Sequence, residues 1–386
     1  MSCLFRFLRN TVISIIVILF LWINPLFAEQ VSCQQHHCIA IVDAGSTGSR
    51  LHFYAYDLNQ EQQPVGIQEL WSKKITPGLA TLERNQARID AYLDTLFPMQ
   101  NDQEIPVYFY ATAGMRLLPL SEQQAYYEQI KHWFSRQTTW KLQAAKTISG
   151  REEGVYSWLA VNYGLGALTP NSTRQSVGVM DMGGASVQVV FPLDQTTSVA
   201  AKHTVRFTVY GQSYTVFAYS ALGLGRTLVT QQFLNHAACF SKDYELADGA
   251  PAVGNAETCQ QEISSLINSV HHVNQDVQLA LDLSHAQSWY VLGGLNYLSQ
   301  TPVLHLNQAF TSADLLSAGE RDACAVDWLK LASTFPDQDA LHLACLSASY
   351  YYALMVNGYG LSPQELIHLA PEGSDWTLGV ILRQDM

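Results

Sequence analysis

An aspartate closing an apolar run, followed by a turn of glycine and small or hydroxyl-bearing residues, occurs twice in this chain. Ile41-Val42-Asp43-Ala44-Gly45-Ser46-Thr47-Gly48-Ser49-Arg50 returns as Val179-Met180-Asp181-Met182-Gly183-Gly184-Ala185-Ser186. A glycine-rich turn lets several backbone N–H groups approach one anion, because no Cβ intervenes, and Ser or Thr hydroxyls add donors. Two such turns can grip two phosphates. The Asp at each strand end then stands where a divalent cation between those phosphates needs negative charge, commonly through metal-bound water. A single Asp-Gly-Ser turn is an ordinary hairpin sequence. Repetition with the same Asp placement is what points to a nucleotide polyphosphate site.

Each turn leads into a second apolar run, residues 51–56 and 187–191, so two hairpins are expected in two similar halves facing each other across a cleft. Between them, residues 65–74 read as a strand, 80–97 as a helix with Leu82, Ile89, Leu93 and Leu96 on one face, and 107–110 as a buried strand. The last of these leads into Ala111-Thr112-Ala113-Gly114-Met115-Arg116. Ser121 with Gln124 has the capping-box pattern for a helix running to Phe134. A strand over 140–148 is followed by Gly150-Arg151-Glu152-Glu153-Gly154, which opens another helix, with Trp158 and Tyr163 expected in the core. Strand, motif and helix recur in an α/β order. The loop Thr169-Pro170-Asn171-Ser172-Thr173 is the best boundary between halves and contains a glycosylation sequon. Gly223-Leu224-Gly225 reads as a turn.

With 386 residues, 48% hydrophobic and 14% charged, the chain is long enough for two cored domains. Its net charge of −12 argues against nucleic acid as a partner. Arg6 and Arg9 precede an uncharged run, residues 11–23, and Asn24-Pro25-Leu26-Phe27-Ala28 offers a cleavage site, so 1–28 reads as a signal peptide. An uncleaved anchor is the alternative; the run is short of the ~20 apolar residues of a membrane span. The mature protein is expected to be secreted or periplasmic, with no stable membrane span. Cysteines 33, 38, 239, 259, 324 and 345 remain after cleavage, an even set that suggests disulfides. Sequence does not fix connectivity; the local set Cys33–Cys38, Cys239–Cys259 and Cys324–Cys345 is the simplest. Zinc on Cys33, His36, His37 and Cys38 is a crowded alternative.

The segments 43–50, 111–116, 150–163 and 181–188, with Gly373-Ser374-Asp375-Trp376-Thr377-Leu378-Gly379, together resemble the five apyrase regions of the nucleoside triphosphate diphosphohydrolases. The likeness spans residues 39 to 381 and is nearest to the short secreted enzymes of Legionella. It implies an actin-like fold of two ribonuclease-H-like domains with the nucleotide between them. On this chain the first would comprise 33–165 plus 366–386, and the second 166–365.

The resemblance also implies roles. Ser46, Thr47, Gly48 and Ser49 would form one phosphate loop and Gly183, Gly184 and Ala185 the other. Asp43 and Asp181 would hold water ligands of Ca²⁺ or Mg²⁺, with Trp376 nearby. Thr112 would line the terminal phosphate, and Arg50 and Arg116 would meet phosphate oxygens. Glu153 would be the catalytic base, selected over Glu152 by the pattern G-x-x-E-G, with Ser186 and Gln188 orienting the water from one side of a strand. Asn296, Tyr297 and His342 are candidates for the base, although the Gly293-Gly294 pair departs from bulkier residues in animal members.

The reaction implied is hydrolysis of the terminal phosphate of nucleoside triphosphates, and of diphosphates, by an exported, monomeric, metal-dependent apyrase. Within enzymes the rival is a diphosphatase preferring GDP or UDP, because Thr47 and Arg50 match the soluble diphosphatase branch. Sugar kinases and exopolyphosphatases share the fold but lack the combined motifs. A silent nucleotide-binding or interaction module is the rival of another class.

Overall fold

Both Asp-bearing repeats fold as hairpins, and each hairpin seeds a sheet. The computed structural model describes residues 33–98, 103–169, 172–194 and 201–383; the expected signal peptide 1–28 and Asn171 lie outside them. The described strands are β1 (His37–Ala44), β2 (Ser49–Leu58), β3 (Pro64–Ile75), β4 (Ile105–Ala111), β5 (Trp140–Thr147), β6 (Gly178–Met182), β7 (Ser186–Pro192), β8 (Thr204–Val209), β9 (Gln212–Leu222), β10 (Trp289–Gly293), β11 (Ala309–Thr311) and β12 (Leu366–Leu369). The first sheet has the order β3-β2-β1-β4-β5 and the second β11-β12-β10-β6-β7-β9-β8.

The repeat extends from sequence to topology. Strand β1 is parallel to β4 and β4 to β5, as β6 is to β10 and β10 to β12. On the other side, β3 lies antiparallel to β2 as β9 does to β7. Thus β3-β2-β1-β4-β5 matches β9-β7-β6-β10-β12, and β8 and β11 are additions at the edges of the second sheet. Asp43 is the penultimate residue of β1 and Asp181 of β6, so the two carboxylates occupy equivalent places. Central parallel strands are covered on both faces, which is why β1 and β6 read as continuous apolar runs.

One buried cluster joins β1 (Ile39, Ile41), β6 (Val179), β7 (Val190) and β9 (Val216, Ala218) to the helices Gly150–Gly164 and Trp376–Leu382. That helix pair lies between the sheets. Trp158 is fully buried, its indole N–H donating to Val177 O at 2.9 Å. A second cluster packs the other face of the second sheet against the helical region 226–359.

Three boundaries differ from the sequence reading. The helix expected from residue 80 is Gln86–Leu96, because the Asn85 side chain accepts from Arg88 N and caps it there. The helix expected to be capped by Ser121 begins at Leu120, with Pro119 at the cap position and Ser121 already in the first turn. The return to the first half cannot start at 366, since Leu366–Leu369 pairs with β10 in the second sheet.

Cys239–Cys259 and Cys324–Cys345 are disulfides, and Cys33 and Cys38 are each disulfide-bonded. Cys239–Cys259 links residues 20 apart. Replacing both by Ser is expected to lower unfolding free energy by ~2–4 kcal/mol, read from denaturant titration. Thiol assay of the unfolded, unreduced mature protein is expected to find no free group; two or more would overturn the pairing.

Candidate active site

The two glycine-rich turns face each other across a cavity of about 1250 Å³. Their approach is close: a Cβ on Gly184 would lie 2.7 Å from Ser46 Oγ and 3.4 Å from Thr47 Cγ2, so a side chain at 184 would force the Ser46 hydroxyl to move. The second turn is held by Arg226 N donating to Gly183 O (3.0 Å) and Thr227 N to Gly184 O (2.8 Å). The first is braced by the Tyr92 hydroxyl donating to Ser49 Oγ at 2.9 Å. Ser49 therefore accepts a scaffold hydrogen bond at its hydroxyl, and it lines the cavity together with Ser46, Thr47, Gly48, Arg50, Gly183, Gly184, Ala185 and Thr112.

The start of helix Gly150–Gly164 separates the two adjacent glutamates. Ser149 caps it in a complete capping box: Glu152 N donates to Ser149 Oγ at 3.1 Å and Ser149 N to Glu152 Oε2 at 2.7 Å. Lys146 lies 3.3 Å from the other Glu152 oxygen. Glu152 is thus bound to its own helix end. Glu153, one residue on, is buried and opens on the cavity.

Glu153 Oε2 accepts from the Arg116 guanidinium and, at 3.1 Å, from Gln188 Nε2. Ser186 Oγ (2.9 Å) and Ser220 Oγ (3.2 Å) also lie within hydrogen-bond distance of Gln188 Nε2, whose two hydrogens are shared among the three acceptors. Ser186 and Gln188 share one side of β7, and Ser220 stands directly opposite Gln188 on β9. The Gln188 carbonyl oxygen is buried with no protein partner, an acceptor beside a carboxylate. Burial pushes the Glu153 carboxyl up to about 8, with Arg116 opposing and the charges of Asp181 and Asp43 adding.

The strand-end aspartates are equally perturbed. Burial, then the charges of Asp375 and Asp181, raise Asp43 to about 7 against His52; burial raises Asp181 to about 6 despite a 2.6 Å hydrogen bond from Ser157. Asp43 Oδ1 is buried without a partner. Buried carboxylates that repel one another and keep an unpaired oxygen suit a hard divalent cation, which takes oxygen ligands. Among the described residues no cluster of three or more His, Cys, Asp or Glu side chains converges on one point, so the side chains do not form a closed cage.

Not every expected residue faces the cavity. Arg116, expected on phosphate oxygens, is engaged by Glu153 and is absent from the lining, and Gln188 stands behind Ser186 and Glu153. Trp376 lines the cavity beside Asp43, where its indole N–H lowers the Asp43 pKa against burial. Of the base candidates only Asn296 lines it. Tyr297 is 55% exposed and borders a separate small pocket with Arg226 and Leu341, and His342 stacks on Tyr244 at 5.8 Å. They are carried on short helical turns whose packing the sequence pattern does not specify.

Ser157, His52, Glu69 and Asp375 were not expected. Ser157 lies one turn after Glu153 and so on the same face, a spacing that could have revealed it. His52 Nδ1 sits 2.9 Å from Glu69 and Nε2 3.6 Å from Asp375, so a buried imidazole lies between two partly exposed carboxylates on the cavity wall, joining residues too distant in sequence to read together.

Comparison with known proteins agrees with this architecture. The chain is 26% identical to the ectonucleoside triphosphate diphosphohydrolase 1 of Bos taurus, over 89% of this chain and 80% of that protein. It is 26% identical to a nucleoside-triphosphatase of Pisum sativum, over 85% and 81%. A guanosine-diphosphatase of Schizosaccharomyces pombe matches at 32% over 56% of this chain and 41% of that protein. Among solved structures, nucleoside triphosphate hydrolases from Neospora caninum superpose with TM-score 0.63 at 15% identity, covering 90% of this chain and 92% of theirs. An Aquifex aeolicus Ppx/GppA family member gives 0.52 at 14%, covering 91% and 99%. These place the paired sheets in the actin-like fold. With the GDA1/CD39 (nucleoside phosphatase) pattern matched over residues 29–385, the two facing turns and their carboxylates belong to an enzyme of the GDA1/CD39 family.

Proposed function

We propose that this enzyme is an exported apyrase that hydrolyses the terminal phosphate of nucleoside triphosphates, and of diphosphates, by attack of a water activated by Glu153. The observation carrying this reading is the junction of Glu153, Gln188 and Ser186 beside two opposed phosphate turns. Ser46 to Ser49 and Gly183 to Ala185 cradle phosphates, Thr112 flanks the terminal one, and Arg50 offers a guanidinium to its oxygens. A water held by the Gln188 carbonyl and the Ser186 hydroxyl is aligned toward the phosphorus. As its oxygen bonds phosphorus and the bridging P–O bond breaks, its proton passes to Glu153 and the shortened nucleotide departs. Arg116 helps keep Glu153 ionised against burial and sets its oxygen in place.

Asp43 and Asp181 are the residues that would hold Ca²⁺ or Mg²⁺ through water, with Trp376 orienting Asp43. The cation, when bound, neutralises phosphate charge. Asn296, with Tyr297 and His342 beyond it, marks the side toward which the base extends. We assign residues 33–165 with the C-terminal segment after Leu369 to one ribonuclease-H-like domain and 166–369 to the other. The disulfides fit an oxidising compartment, and among the described residues no helix is long and apolar enough to cross a membrane. The enzyme is read as a monomer.

A diphosphatase preferring GDP or UDP is the second reading, favoured by Thr47, Arg50 and the guanosine-diphosphatase match. Phosphate release from a panel of ATP, GTP, ADP, GDP and UDP decides. Turnover of tri- and diphosphates is expected; release from diphosphates alone would give the second reading, and binding without release in any metal would leave only a binding module.

A further inference from the structure

The pairing of β2 with β3 sets Arg50 directly opposite Lys74, and both line the cavity beside the first turn. Lys74 leans over that turn. A Cβ on Gly48 would lie 3.5 Å from Lys74 Cε and 2.5 Å from the Ile75 carbonyl oxygen, so only glycine lets β3 close down here. Like charges directly opposite across two strands destabilise a sheet. Among the described residues neither cation has a carboxylate within ion-pair distance, although Arg50 is close enough to Asp375 to help lower its pKa. The adjacent Lys73 pairs across from buried Leu51 and does not line the cavity. Position along the turn then orders the groups. The second turn meets the first at Ser46 and Thr47, whereas Lys74 covers Gly48, at the far end. A phosphate chain running from the second turn across the first reaches Lys74 last.

We propose that Lys74 and Arg50 form a subsite for a phosphate lying beyond the one cradled by the first turn. Its occupant is orthophosphate on its way out or the next phosphate of a chain longer than a triphosphate. This rests on the reading of the turns as phosphate cradles. The ammonium acts as a movable point charge and the guanidinium as a planar fork, a pair suited to a terminal phosphate of variable position.

Calorimetric titration of the full mature protein with inorganic phosphate reads the subsite without turnover, and so separately from the proposed activity. Lys74→Gln is expected to weaken phosphate binding roughly tenfold or more, the scale of one charge-assisted hydrogen bond. Lys74→Arg should retain most of the affinity, and Lys73→Gln should leave it unchanged. In turnover assays, a fall in the kcat/KM ratio of adenosine tetraphosphate to ATP in Lys74→Gln assigns the subsite to longer chains. Weaker inhibition by orthophosphate at an unchanged ratio assigns it to the departing product. Wild-type phosphate affinity in Lys74→Gln, or an equal loss in Lys73→Gln, overturns the proposal, even in a protein that hydrolyses ATP.

Discussion

Glu153→Gln is expected to lower turnover by roughly 10²–10⁴-fold while nucleotide binding survives, a barrier increase of ~3–5 kcal/mol. Gln preserves side-chain length and an oxygen for the Arg116 guanidinium but cannot take the proton of the attacking water. The loss should therefore sit in kcat, with nucleotide Kd near wild type. Glu152→Gln should have little effect on kcat, because that side chain serves the Ser149 cap, where an amide oxygen can still accept, and an exposed partner in Lys146. The cost of losing that ion pair is ~0–1 kcal/mol of stability. Near-normal turnover in Glu153→Gln, or a dead Glu152→Gln with the fold intact by circular dichroism, would reverse the assignment.

Chelation should abolish turnover, and either Ca²⁺ or Mg²⁺ should restore it; full activity in excess chelator would remove Asp43 and Asp181 from the mechanism. The same site predicts a pH signature that needs no assay of activity. In the metal-free protein Asp181, Asp43 and Glu153 are raised from ordinary values of 3.8, 3.8 and 4.5 to about 6, 7 and 8. A carboxyl with a raised folded pKa gives its stabilisation below its unfolded pKa and loses it as pH rises through the folded one. Metal-free protein should thus lose stability from about pH 4 to pH 8. A cation requires the ionised ligands, so the Tm increase it produces should be larger at pH 8 than at pH 5.5. An increase that is flat or falls with pH would contradict cation binding at these carboxylates.

Much of the scaffold was legible because its information is local. The Asp-bearing turns, the strands around them and the helix at Gly150 each carry their signal within about ten residues, and repetition made the two halves visible. The resemblance, through G-x-x-E-G, chose Glu153 over Glu152, and Glu152 is the one taken up by the Ser149 capping box. The sequence could not anticipate that Arg116 lies on Glu153, or that His52, Glu69 and Asp375 meet, since these contacts depend on how distant strands and the C-terminal segment pack. Strand β12 was misassigned for the same reason: four residues paired across the sheet leave almost no periodic trace. The residues expected at the nucleobase were least readable, because Tyr297 and His342 ride on short turns without a repeated pattern.

The helix carrying Glu153 follows β5 of the first sheet, yet Gly154 on it packs against Val190 and Gln188 of the second. Glu153, the Gln188 amide beside it and Asp181, tied through Ser157, therefore form one block held on the second sheet, although chain order puts the helix of Glu153 and Ser157 in the first domain. The first turn, Thr112 and Arg116 belong to the other. Any rocking between the halves would leave Glu153, Gln188 and Asp181 in fixed relation to the second turn and alter their distance from the first, with the Arg116–Glu153 contact as the coupling that must stretch. Mobility in such an enzyme would set when the reaction is permitted, while the chemistry's internal alignment stayed constant through the cycle.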